Sequence, residues 1–107
     1  MTFSTRLQRA LERAGMTPGD AHHWFARPRS TVRTWCEGRS PRGPIGRLAS
    51  YHLALLELAI RKKIEGLPVP AEMNYQKRPA HVRGLRDEIE RRARRARAEL
   101  PGMRAAG

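Results

Sequence analysis

Arg27, Arg29, Ser30, Thr31, Arg33 and Thr34 crowd one short stretch of this chain, with Val32 and Trp35 among them. Guanidinium forks and hydroxyls at that density suit phosphates and base edges, because arginine donates two parallel hydrogen bonds to a phosphate or to the two acceptors of guanine. Val32 and Trp35 stand three apart, so on a helix they share one edge while Arg29, Ser30, Arg33 and Thr34 fall on the opposite side. A small helix with an apolar inner edge and an Arg/Ser/Thr outer edge fits the major groove of DNA. Arg39 and Arg42 follow just beyond it, where the DNA backbone would pass; the alternative for these two is a solvated loop with incidental charge.

Other chemistries find little support. His22 and His23 are adjacent, so on a helix they diverge by roughly 100° and make a poor pair of metal ligands. His52 and His81 are isolated, and Cys36 has no CxxC companion, so no zinc site is expected. A single cysteine excludes an internal disulfide framework and reads as a packing residue beside Trp35. There is neither a glycine-rich phosphate loop nor a paired-carboxylate motif. No catalytic residue, metal or cofactor is expected, and the chain reads as a non-enzyme.

The elements that must position the basic stretch are legible from caps and periodicity. A first helix is expected from about Ser4 to Ala14, with Phe3, Leu7, Ala10, Leu11 and Ala14 at helical spacing and Gly15 as its stop. Thr17, Pro18 and Asp20 form a helix start: a hydroxyl cap, proline at the first position, and a carboxylate three residues after the cap. Two short helices are then expected near 18–25 and 28–37, with a tight corner between them. Gly38 to Pro44 is turn-rich and is read as a connector outside any helix.

Residues 4–40 resemble the helix-turn-helix domain of the lambda repressor/Cro-like family. Gly15, Met16, Thr17, Ser30, Thr31, Val32, Trp35 and Gly38 fall on that family's pattern without a gap. The resemblance implies that the second short helix reads base pairs, with Arg29 and Thr34 in base-reading slots. Three positions depart from the pattern. The corner glycine is Ala26, which must take a positive φ or adopt a different turn. The small buried residue of the first motif helix is displaced, with His22 in its slot and Ala21 before it. The polar residue that usually opens the recognition helix is Pro28, which brings no capping side chain.

The chain has 107 residues and a formal net charge of +12. The excess is spread over the first, middle and last thirds and not confined to a tail. A polyanion is the partner this implies, with binding that weakens steeply in salt through counterion release. No apolar run reaches the ~18 residues of a membrane span and no signal-peptide core leads the chain, so a cytoplasmic protein without membrane contact is expected.

Beyond the connector the longest helix is expected over 46–65. Leu48, Leu55 and Leu58 share one stripe with Tyr51, and Leu53, Leu56, Ile60 and Ile64 form a second. One stripe can close the core, leaving the other for a second copy, so a homodimer or higher homo-oligomer through this helix is expected; the alternative is that both stripes pack within the monomer. Residues 66–80 hold three prolines and no period and are read as a linker. A final helix is expected from Pro79 to Val82 onward. Its stripe of Leu85, Ile89, Ala93, Ala96 and Leu100 is thin, and Arg91, Arg92, Arg94, Arg95 and Arg97 cover the rest. This stretch is expected to act as a phosphate-binding arm; the competing reading has Leu85, Ile89 and Leu100 completing the fold.

The fold expected is therefore all-α, a lambda-repressor-like bundle of four to five helices over 1–65, a linker over 66–80 and a basic helical extension over 81–107. The function expected is sequence-specific binding of double-stranded DNA by a small phage-like or bacterial transcriptional regulator acting as a dimer. The alternative is the DNA-recognition subunit of an oligomeric assembly, such as the small terminase of a tailed phage.

Overall fold

Thr2 opens the first helix, α1 (Phe3–Ala14), by accepting the Thr5 amide on its hydroxyl at 3.1 Å. Gly15 ends it in the left-handed region at φ 67. That position has a second reason to be glycine: a methyl there would lie 2.7 Å from the Val69 carbonyl oxygen. The computed structural model describes residues 1–99, and the remaining helices are α2 (Pro18–Phe25), α3 (Arg29–Cys36), α4 (Gly43–Arg61) and α5 (Arg78–Glu99). The described residues form no strand, and the all-α expectation holds.

The core draws on all five helices. Leu7, Leu11 and Ala14 of α1 meet Trp24 and Phe25 of α2, Val32 and Trp35 of α3, Leu53 and Leu56 of α4, and Val82 and Ile89 of α5. Each fully buried large apolar side chain contributes roughly 1.5–3 kcal/mol through surface removed from water. Trp24 is entirely buried, and its indole N–H donates to the His52 carbonyl at 2.8 Å, so its one polar atom is satisfied. Trp35 meets Phe3 and Phe25 edge-on at 5.8 and 5.7 Å.

Four expectations need correction. Gly43 and Pro44 belong to helix: they form the first turn of α4, where proline's missing N–H costs nothing because that amide has no partner within the helix. The long helix is thus shifted, starting earlier and ending at Arg61, with Ile64 buried beyond it on a turn. The stripes of α4 are not separated as core and partner faces. Leu53, Leu55 and Leu56 are all buried with Ala49, His52 and Ala59, and what stays exposed is the first half of the helix: Ile45, Leu48 and Tyr51.

The linker expected over 66–80 ends at Lys77, because Arg78 already belongs to α5, and it is packed onto the helices. The Val69 side chain is buried and its amide donates to the Ala14 carbonyl at 2.8 Å, closing the end of α1. Asn74 starts α5 by accepting the Gln76 amide on its side chain and the Lys77 amide on its carbonyl. Finally, α5 is no free arm. The helix begins at Arg78, one residue before Pro79, and Val82, Leu85 and Ile89 are buried against α2 and α4, with Val82 joining the stripe. Ala96 is exposed, and Leu100 lies outside the described residues.

Candidate nucleic-acid interface

The corner between α2 and α3 starts with a reciprocal cap. The Asp20 amide donates to the Thr17 hydroxyl at 3.2 Å, and the Thr17 amide donates to the Asp20 carboxylate at 2.9 Å. Asp20 also takes both ends of the Arg78 guanidinium, which further donates to the Gly15 and Pro70 carbonyls at 3.0 and 2.8 Å. Burial alone would raise the Asp20 carboxyl, but Arg78 and the Thr17 amide outweigh it and hold it below the ordinary carboxylate range.

At its far end α2 stops on Ala26, which takes the left-handed conformation at φ 54. This is the first of the two outcomes open to an alanine where glycine is usual. Ala21 is fully buried and His22 is not, so the small packing residue of α2 is Ala21. Arg86 of α5 reaches the helix-end carbonyls here, donating to Trp24 and His23 oxygens at 3.3 and 3.5 Å.

α3 then begins on Pro28 without a side-chain cap. Val32 and Trp35 are buried, so the opposite side of the helix is fixed outward. Arg29, Ser30 and Arg33 are exposed, and Thr31 and Thr34 are half-buried. The Thr34 hydroxyl donates to the Thr31 carbonyl at 2.7 Å, which commits its proton inside the helix. Arg29 folds back across α2: a methyl on Gly19 would lie 3.0 Å from its Nη2. With Thr17, Gly19, His22, Tyr75 and Arg78 it lines an open groove of about 580 Å³. The C-terminal end of α3 is tied to α1, where Ser4 and Gln8 side chains both donate to the Cys36 carbonyl. Burial pushes the Cys36 thiol up, as does Glu37, in keeping with a packing role.

Arg27 is half-buried at the corner, and Arg39 and Arg42 are exposed on the connector after α3. Among the described residues none of Arg27, Arg29, Arg33, Arg39 and Arg42 makes an ion pair. Several arginines of α5 differ. Arg91 and Arg92 pair with Glu88, Arg94 pairs with Glu90, and Arg86 lies near Asp87 and Glu90.

Reasoning from sequence missed Arg83, Arg86, His22 and His23, which gather with Arg27 at the corner in a second concavity of about 320 Å³. The signal was present: Val82, Leu85 and Ile89 define the buried edge of α5, and positions 83 and 86 flank it. No helix among the described residues is long and apolar enough to cross a membrane, and no group of three His, Cys, Asp or Glu residues there converges as for a metal. Comparison with protein-family models, curated proteins and solved structures finds no match for this chain.

Proposed function

We propose that this chain binds double-stranded DNA with sequence specificity, α2 and α3 forming a helix-turn-helix of the lambda repressor/Cro-like type. In this reading α3 lies in the major groove with Arg29, Ser30, Arg33 and Thr34 toward base edges. Arg27, Thr31, Arg39 and Arg42 flank it toward the phosphates. One observation carries the reading: among the described residues the cations of α3 and its flanks have no carboxylate partners, whereas Arg86, Arg91, Arg92 and Arg94 of α5 lie against acids of their own helix. An unpaired cationic ridge on a helix whose other edge is locked by Val32 and Trp35 is arranged for an external polyanion.

The chain serves in this reading as a small transcriptional regulator that occupies its site as a dimer. Ile45, Leu48 and Tyr51, exposed on the first half of α4, supply the self-complementary patch. The same patch serves the second reading, a DNA-recognition subunit of a larger assembly, and the mass of the particle in solution separates the two. Selection of bound duplexes from a random pool tests the function itself. A palindromic consensus with half-sites about one helical turn apart supports the dimeric regulator. Recovery of no sequence preference overturns specific recognition.

A further inference from the structure

The concavity at the α2–α3 corner is built by three parts of the chain. His22 and His23 come from α2, Ala26, Arg27 and Pro28 from the corner, and Arg83 and Arg86 from α5. No carboxylate lines it. Arg86 is already committed to the carbonyls of His23 and Trp24, and it stands near Asp87 and Glu90. Arg83 is different. It is exposed, it makes no ion pair among the described residues, and its one hydrogen bond goes to the Nδ1 of His23 at 3.1 Å. A guanidinium whose only acceptor is a neutral imidazole keeps most of its donors free. Burial, then His22 and Arg83, push His23 down against the pull of Asp20. Pro28, which opens α3 without a side-chain cap, forms another wall of the notch.

We infer that this notch holds a phosphate of the DNA backbone, gripped by Arg27 and Arg83, so that α5 is part of the interface as well as part of the core. The inference rests on the DNA-binding reading above. The contact belongs to the strand flanking the groove that α3 occupies. It fixes the register of the protein on the duplex without reading bases.

The test compares wild-type protein with Arg83→Ala and Arg91→Ala on a selected duplex and on a scrambled one, by fluorescence anisotropy over a range of KCl. Arg91→Ala removes the same formal charge from a residue already paired with Glu88. Arg83→Ala is expected to lower the salt slope by about 0.9 on both duplexes, the signature of one lost phosphate contact, with their ranking kept. Arg91→Ala is expected to leave the slope unchanged. Arg83→Gln, which removes the charge but retains part of the aliphatic stem, carries the test if the alanine variant melts. An unchanged slope in the Arg83 variants, or equal losses in Arg83→Ala and Arg91→Ala, overturns the notch while leaving the DNA reading intact. Wild-type protein that binds neither duplex overturns the DNA reading itself, and the notch with it.

Discussion

Arg29 and Arg78 have the same side chain and opposite fates. Arg78 is held by four oxygens, with Asp20 accepting at 2.7 Å from Nη2, and little of it reaches solvent. Replacing it by alanine strands a buried carboxylate and uncaps two carbonyls, at an expected cost of about 3 kcal/mol in a denaturant melt. Arg78→Lys keeps the charge but loses the fork, and should fall between the two. Equal stability of all three proteins would show that the clasp contributes nothing. Arg29 makes no ion pair and rests over Gly19, free to swing outward. Arg29→Ala should leave melting unchanged and cost on the order of 1–3 kcal/mol in discrimination at one base pair. Weakening by the same factor on selected and random duplexes would assign Arg29 to phosphate instead.

At the level of elements, caps and apolar spacing located the helices well. Thr17 with Asp20, Gly15, and the Val32–Trp35 edge are local signals, and local geometry obeys them. The misread elements were those whose fate depends on distant partners. Pro68 and Pro70 rightly keep the stretch before α5 out of helix, while Pro79 sits in the first turn of α5, and no local rule reveals that Val69 will plug the end of α1. The clasp joins Arg78 to a carboxylate 58 positions away, and nothing in the spacing marks which arginine will be buried. The notch was hidden likewise, since Arg83 and His23 are 60 positions apart. The apolar stripe of α5 looked thin because alanines dominate its second half; its first half, with Val82, Leu85 and Ile89, is core. Deleting residues 78–107 should therefore abolish cooperative melting rather than only trim the DNA affinity proposed above. A truncated protein that melts sharply and binds DNA with a reduced salt slope would restore the arm.

For the molecule as a whole, pH acts through a buried polar knot between α4 and α5. His52 Nε2 lies 4.0 Å from Glu90, Arg86 Nε lies 3.7 Å from the same carboxylate, and His52 Nδ1 has no partner. Burial, then Arg86, push His52 down; Glu90 opposes them and Arg27 adds to the lowering. A histidine whose folded pKa is depressed stays neutral in the fold while the unfolded chain takes up a proton. Stability is thus full above the unfolded value near 6.5 and is lost as pH falls below it. His23 is shifted the same way, whereas the depressed Asp20 carboxyl gives stability that is full above its unfolded value and is lost only as pH falls below it. The melting temperature should drop between about pH 7.5 and 5.5, and drop less in His52→Leu. An identical drop in both proteins would place the proton uptake elsewhere.

α5 splints α2 at both ends, with Arg78 at its first turn and Arg86 at its last. The two arginines are separated by about 12 Å of helix rise, close to the length of α2 itself. A helix of two turns is too short to persist unaided. The order of synthesis then matters, because α2 and α3 leave the ribosome long before the helix that braces them. Until Arg86 has emerged, the nascent chain presents a basic, unstructured segment to the cell. A message cut short upstream of that codon would yield a substrate for proteolysis and not a folded, partly active fragment.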